Sequence, residues 1–476
     1  MSDQPLWTID AMARAMNANA LTLERSGPLP DAISGISIDS RTIVPGEAFF
    51  AITGDSRDGH EFVDAALKAR AGVAVVAQSR RDAFPATAPL IVVPDVLEGL
   101  RALGRAARTR LAGKIIGVTG SVGKTGTKEA LRIALGACGE TYASAASYNN
   151  HWGVPLSLAR CPASARYAVF EMGMNHPGEI EPLSRMVRPH VAIITTVEPV
   201  HLEFFDSIEG IADAKAEIFR GIEPGGAAVL NRDNPQFARL EQSARHAGVG
   251  RIVTFGEHAG ADARLVNVSL GASSSTVEAR ILGADITYRF GAPGKHLVHN
   301  SLAVLAAVAL SGADPALAAR ALGEMKPPAG RGARQTLDLE NGSALLIDES
   351  YNANPASMRA GIALLAQAEI GTRGRRIAVL GDMLELGPRG ADLHRSLAEP
   401  LREYAIDQVF CCGPLMLALW EALPSERRGG YAETSSALEP TLIEAIRPGD
   451  ALMIKGSLGS RMGPIVKSLE RRYARR

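Results

Sequence analysis

The run Lys114-Ile-Ile-Gly-Val-Thr-Gly-Ser-Val-Gly-Lys-Thr125 constrains this chain most, because an apolar strand passes directly into a glycine-rich turn ending in Gly123-Lys124-Thr125. Such a turn is a phosphate cradle. Backbone N–H groups and the positive end of the following helix hold the phosphates, the lysine bridges the outer oxygens, and the threonine hydroxyl can sit on Mg²⁺. The helix is supported independently, since Leu131, Ala134, Leu135 and Cys138 fall at i, i+3, i+4 and i+7 and form one apolar stripe. The general pattern places a glycine five positions before Gly123, where this chain has Val118. Its glycines stand at Gly117 and Gly120, so the loop reads as a variant: Thr119, Gly120, Ser121, Val122, Gly123, Lys124, Thr125. The strand-loop-helix context favours nucleotide phosphate binding over a chance glycine turn.

At 476 residues the chain exceeds what one hydrophobic core supports, so two or three domains of about 100 to 200 residues are expected. Apolar residues at 46% and charged residues at 21% are those of a globular protein. Lys+Arg and Asp+Glu both number 51, so no overall field draws the chain to nucleic acid or to an anionic membrane. The basic end, Arg471-Arg-Tyr-Ala-Arg-Arg476, reads as a solvated helix terminus. Cys138, Cys161, Cys411 and Cys412 lack metal-ligand spacing and read as core thiols in a reducing compartment. The first residues carry no export signal, and no apolar run reaches the roughly 18 residues of a membrane span. A cytoplasmic location without membrane insertion is expected.

Short apolar strands alternate with amphipathic helices, the pattern of an α/β fold with mainly parallel sheets. Three blocks are distinguished. Residues 1–96 form a small mixed α/β domain with Ser37-Ile-Asp-Ser-Arg41, Ala48–Ile52 and Val73–Val76. Residues 97–326 form the central phosphate-loop domain, with strands at Ala168–Phe170 and Val191–Val197, closed by the Pro/Gly cluster Lys326–Arg331. Residues 327–476 form a Rossmann-like domain that repeats strand-then-helix four times, with strands Leu345–Ile347, Ile377–Leu380, Gln408–Cys411 and Ala451–Ile454. Three of these strands run straight into Asp348-Glu-Ser-Tyr, Gly381-Asp382 and Lys455-Gly-Ser457, at the carboxyl ends where open α/β sheets bind ligands.

Glu171 ends the strand Tyr167-Ala-Val-Phe170, where phosphate-loop enzymes keep a carboxylate for the nucleotide's Mg²⁺. His201 follows the next strand, where it is either an ordinary surface histidine or a group reaching the same crevice. Lys215 occupies the i+7 place on the apolar stripe Ile208, Ile211, Ala212, Ile218 and Phe219, with Asp213 and Glu217 flanking it. A lysine there either snorkels along the stripe's edge or is paired, neutralised or modified; as a carbamate it becomes a carboxylate ligand for a second Mg²⁺.

In order and spacing, the phosphate loop, Glu171 in Phe-Glu-Met-Gly, His201, Ala214-Lys-Ala-Glu217, His296-Leu-Val-His-Asn300, Gly330-Arg331 and Asp348–Pro355 resemble the Mur ligases. The segments Tyr148–Pro155, Ser350–Pro355 and Leu380–Gly387 resemble the branch that adds a dipeptide. The branch that adds the third amino acid carries Asp-Asn-Pro-Arg in its last domain; here the only Asp-Asn-Pro, Asp233–Pro235, lies in the central block and is followed by Gln236. The resemblance implies an ATP-dependent ligase joining D-alanyl-D-alanine to UDP-N-acetylmuramoyl tripeptide, working as a monomer. It implies that Lys124 and the loop hold the ATP phosphates, that Thr125 and Glu171 take one Mg²⁺, and that Glu171, His201 and carbamylated Lys215 take a second. Asn300 is implied to meet adenine, and Arg331 and Asp348 to reach the nucleotide. Asp39, Ser40 and Arg41 are implied on the UDP-sugar, and Asn149, Asn150, Tyr351, Asn352 and Asn354 on substrate. A poly-γ-glutamate ligase shares the central cassette but not the full N-terminal block, and a nucleotide-switched binding protein needs Lys124 without Lys215 or a second metal.

Overall fold

The computed structural model describes residues 5–17, 24–54, 57–145, 147–200, 202–327 and 330–474. Its largest sheet has nine strands in the spatial order 284–290, 275–281, 263–270, 251–256, 227–231, 191–194, 114–119, 167–171, 141–143. Seven strands, from 263–270 through 141–143, are paired in parallel. The inner strands 114–119, 167–171 and 191–194 read as nearly unbroken apolar runs because both faces are covered: Ile115, Ile116 and Val118 are fully buried. Strand Lys114–Thr119 lies between Tyr167–Glu171 and Val191–Ile194, so the chain leaves it first to one side and later to the other. That reversal opens a crevice at the carboxyl ends, directly over the phosphate loop.

The helix Lys124–Gly136 starts from Gly123, whose φ of 87° is left-handed backbone that a side chain would strain. It packs against Lys295–Leu310, a helix buried on nearly all sides from Val298 to Val308, which gives the central domain its second layer. The two antiparallel strands Ser275–Ile281 and Ala284–Phe290 extend the sheet beyond its parallel part, an addition that the search for continuous apolar runs passed over.

The first sheet has the order 24–26, 90–93, 73–77, 48–50, 36–37, parallel except for its first pair. This sheet, and a separate antiparallel pair formed by Trp7–Thr8 and Ala32–Ile33, are fastened to the central domain around the helix Gly153–Ala159. Trp7 Nε1 donates to Ala159 O at 2.8 Å, Arg110 stacks 3.6 Å from the Trp7 ring centre, and Arg160 Nε donates to Ile36 O at 2.6 Å.

The last sheet has the order 333–339, 342–349, 451–455, 376–381, 408–412, 428–432. The first pair is antiparallel and the rest parallel. Two of these strands, Ala333–Leu339 and Arg428–Ala432, were not expected. Both are edge strands, and Arg428-Gly-Gly-Tyr-Ala432 carries no apolar run to announce it. The chain is therefore a three-domain α/β protein with mainly parallel sheets, and no helix among the described residues is long and apolar enough to cross a membrane.

Gly120 has φ of 145°, and a Cβ there would run into the Thr195 hydroxyl and backbone. Gly120→Ala should cost about 1–3 kcal/mol of stability through backbone strain and that collision. Urea unfolding monitored by tryptophan fluorescence measures it, and an unchanged midpoint would show that the loop relaxes freely.

Candidate functional site

The carboxyl ends of the central and last sheets face each other across a cleft of about 530 Å³. One wall is the phosphate loop with Glu171, Thr195, Glu198, His296, His299 and Asn300; the other is Arg331, Glu349, Tyr351, Asn352, Asn354 and Lys455. The loop is laced to the neighbouring strand end. Thr195 Oγ1 donates to Val122 O at 2.6 Å, and Ser121 Oγ both accepts from Glu198 N (2.9 Å) and donates to Glu198 O (3.1 Å). The Asn300 amide packs against the Cα of Gly123, which brings the helix Lys295–Leu310 to the loop's edge.

Lys124 Nζ folds back onto its own loop, 2.7 Å from Gly120 O. Burial lowers its pKa, the Glu171 carboxylate raises it in part, and Arg331 adds to the lowering. Glu171 is 1% exposed; its Oε2 accepts from Thr125 Oγ1 at 2.9 Å and its Oε1 from Asn149 Nδ2 at 2.8 Å. Three residues singled out separately in the sequence are thus one hydrogen-bonded unit.

Lys215 is 2% exposed, in the last turn of the helix Ile208–Ala216 that Ser207 caps. Burial, reinforced by the charge of Lys124, holds its pKa well below the usual lysine range. Among the described residues it makes no hydrogen bond or ion pair. The flanking acids do not serve it. Asp213 pairs with Arg239 at 2.6 Å, and Glu217 caps the helix Ile180–Val187 by accepting from the N–H groups of Gly178, Ile180 and Glu181. His201 lies outside the described residues.

Across the cleft, Arg331 lies 4.4 Å from the Tyr351 ring centre, with Nη2 3.4 Å from Ser147 Oγ. Asp348, expected from the resemblance to reach the nucleotide, has both carboxylate oxygens engaged within the protein. Its Oδ2 accepts from Gly330 N at 2.8 Å, and its Oδ1 from Ser350 N (3.1 Å) and Ser350 Oγ (2.6 Å), so the carboxylate ties the linker to the strand end and does not line the cleft. The acid on the cleft wall is the next residue, Glu349, whose Oε2 accepts from Lys455 Nζ at 3.0 Å; Lys455 also donates to Asn352 O at 2.9 Å. Successive strand side chains point to opposite faces, which separates the two carboxylates at this strand end. Lys455, expected at a ligand-facing strand end, is the register neighbour of Glu349 on this wall, whereas Glu198, whose carboxyl pKa burial raises, was not singled out in the sequence.

Tyr351, Asn352, Asn354 and Asn149 reach the cleft. Asn354 doubles as the cap of the helix Pro355–Ala366, accepting from Ser357 N at 2.9 Å. Asn150 Oδ1 accepts from Gly153 N at 2.9 Å, at the start of the helix Gly153–Ala159. Asp39, Ser40 and Arg41 stand apart, just past the strand Ile36–Ser37, where Arg41 grips Asp39 with two bonds of 2.9 and 2.7 Å and so lowers that carboxyl's pKa.

Three family models match the chain: the Mur ligase family catalytic domain over residues 32–108, the Mur ligase middle domain over 118–308, and the Mur ligase glutamate ligase domain over 335–458. The UDP-N-acetylmuramoyl-tripeptide–D-alanyl-D-alanine ligase of Bacillus subtilis is 34% identical, covering 92% of this chain and 93% of the relative. That of Escherichia coli is 30% identical over 92% and 94%. Among solved structures, MurF from Acinetobacter baumannii superposes with a TM-score of 0.81 at 30% identity, covering 98% of this chain and 99% of that one. MurF from Thermotoga maritima in complex with ADP gives 0.74 at 26% identity, over 92% and 98%.

A lysine ammonium buried without a partner opposes folding, so Lys215→Met should be at least as stable as the parent, with a gain on the order of 1 kcal/mol or more in bicarbonate-free buffer. Equilibrium urea unfolding reads this directly. A loss of stability would mean that the ammonium has a partner that compensates its desolvation.

Proposed function

The chain belongs to the Mur ligase family, and from that premise we propose that it joins D-alanyl-D-alanine to UDP-N-acetylmuramoyl tripeptide at the expense of ATP, giving the pentapeptide, ADP and phosphate. One observation carries the reading: a phosphate loop and a buried carboxylate stand on one wall of a cleft whose other wall comes from the last domain, as a reaction with a separate amine acceptor requires.

The tripeptide's terminal carboxylate oxygen attacks the γ-phosphorus of ATP; the bond to the ADP oxygen breaks and an acyl phosphate forms. The dipeptide amine then attacks the acyl carbon, a C–N bond replaces the C–O bond to phosphate, and the amine loses a proton. Phosphoryl transfer needs positioning and charge neutralisation more than covalent help. Lys124 supplies both once its ammonium exchanges the carbonyls of Gly120 and Ser121 for phosphate oxygens. Arg331, carried by the linker and stacked on Tyr351, brings a second cation to the same space and closes it against water. From the last domain, Glu349 lines the cleft wall in its pair with Lys455, and Asp348 stands beside it at the strand end as the other carboxylate that would reach the nucleotide.

The residues also suit Mg²⁺. Thr125 Oγ1 and a Glu171 oxygen, 2.9 Å apart, are hard oxygen donors, and Lys215, buried and without a hydrogen bond or ion pair among the described residues, would become a third such donor if carbon dioxide converted it to a carbamate. Thr125 and Glu171 would hold one cation; Glu171, His201 and carbamylated Lys215 would hold the other. Bound Mg²⁺ would supply neutralisation of charge on the phosphoryl oxygens. Residues 1–96, with Asp39, Ser40 and Arg41, hold the UDP-sugar in this reading; 97–326 bind ATP and 327–476 bring the acceptor.

ADP and phosphate should appear at full rate only when UDP-N-acetylmuramoyl tripeptide and D-alanyl-D-alanine are both present, with free D-alanine a much poorer acceptor. Mass spectrometry of the product should show addition of a dipeptide in one step. A product longer by a single amino acid would move the chain to another branch of the family.

Lys215→Ala should be nearly inactive and regain part of its activity with millimolar short-chain carboxylic acid, which replaces the carbamate's oxygens. Lys215→Arg should stay inactive. Activity in the arginine variant would show that the residue works as a cation.

A further inference from the structure

The loop Thr119–Thr125 holds phosphates and cannot tell one base from another, so discrimination among nucleotides falls to other groups on the cleft wall. At the carboxyl ends of the strands Ala227–Asn231 and Arg251–Gly256, Asp233 accepts from the N–H groups of Glu257 (2.6 Å) and His258 (2.9 Å) and fixes the chain where it leaves the second strand. Glu257 is thereby held over the first turns of the helix Lys295–Leu310. There its Oε1 meets Lys295 Nζ at 2.7 Å and His299 Nε2 at 2.6 Å. An ionised carboxylate only accepts, so Nε2 is the donor of this bond, and in the tautomer assigned from it Nδ1 is left as an acceptor. Lys295, the first of the contacts that lower the Glu257 pKa, keeps that carboxylate ionised.

His299 lines the cleft beside Asn231 and Asn300. Asn231 has both ends of its amide committed, Nδ2 to Thr195 O at 3.3 Å and Oδ1 to Asp233 N at 3.0 Å. Among the described residues, Nδ1 of His299 makes no hydrogen bond.

We propose that the Glu257–His299 pair determines base specificity: Nδ1 accepts an N–H of the 6-amino group of adenine and turns away a 6-oxo purine, whose oxygen would face the same lone pair. The Asp233-Asn-Pro235 segment, without a part in the chemistry above, then has one, since it sets the turn that presents Glu257. His299 stands one residue before Asn300, which touches the phosphate loop at Gly123, so a nucleotide anchored on the loop can lay its base along this helix end. The inference rests on the ATP-dependent reaction proposed above.

The test compares ATP with GTP in the complete ligase assay, for the parent, His299→Leu and Glu257→Gln. His299→Leu should raise the KM for ATP about tenfold, the worth of one hydrogen bond, with kcat within about twofold, and should lower the ATP-to-GTP preference by a similar factor. Glu257→Gln should lower the preference further. Its amide carbonyl can stay on Lys295 while its NH₂ donates to Nε2, which moves the ring proton to Nδ1 and makes that atom a donor toward a 6-oxo group. A structural role alone would lower kcat for both nucleotides together with the melting temperature and leave the preference unchanged, and that result overturns the assignment. If the parent protein forms ADP from ATP with neither acceptor nor tripeptide dependence, the ligase reading fails and this assignment with it; an unchanged preference in an active ligase removes this assignment alone.

Discussion

The cleft depends on one buried anion. Glu171 is shielded from water, so its carboxylate must find its partners inside the protein, and it finds them in two different segments: Thr125 on the helix after the phosphate loop and Asn149 on the approach to the helix Gly153–Ala159. The first partner fixes the start of the phosphate-binding helix. The second fixes the segment that leads into the docking site of the first sheet, through Asn150 and Gly153 to the Ala159 carbonyl that receives Trp7. Losing Glu171 would therefore loosen the nucleotide site and the anchorage of the first domain together, through bonds seen in the same side chain.

The other wall is positioned by a second anion of a different kind. Asp348 spends its carboxylate on Gly330 and Ser350, and in doing so sets the direction in which Arg331 leaves the linker. This separates two tasks that the sequence places side by side: Asp348 holds the hinge and Glu349 faces the cleft. A strand end delivers both because adjacent side chains point opposite ways.

Where the sequence was legible, it was so through constraints that act locally. The phosphate loop could be read because glycines with left-handed backbone, a preceding apolar strand and a following amphipathic helix are all dictated within a dozen residues. The oddity of Lys215 could be read from its place on an apolar stripe, but the stripe left snorkelling and burial both open, and the fold decides for burial at 2% exposure. The antiparallel strands Ala263–Phe290 alternate buried and exposed side chains, as in Ser275–Ile281, and escaped a reading tuned to continuous apolar runs. Glu198 and Lys455 were present as strand-end charges, but only the register between neighbouring strands brings them to the cleft, and register is not local. The use of Asp213 and Glu217 elsewhere was equally invisible, since their partners Arg239 and the helix at Ile180 come from other parts of the chain.

The diversion of those two acids gives the site its direction. Had either carboxylate reached Lys215, the pair would have been neutral and the lysine a structural cation. Because both are committed elsewhere, Lys215 is left to burial and the neighbouring charge of Lys124, which together hold its pKa well below the usual lysine range. In the ligase reading proposed above, carbamylation would replace that amine by an anion, and triphosphate would add to the negative charge that Glu171 already gives Lys124. The two lysines thus differ in their surroundings: Lys124 has a carboxylate nearby, and Lys215 makes no hydrogen bond or ion pair among the described residues.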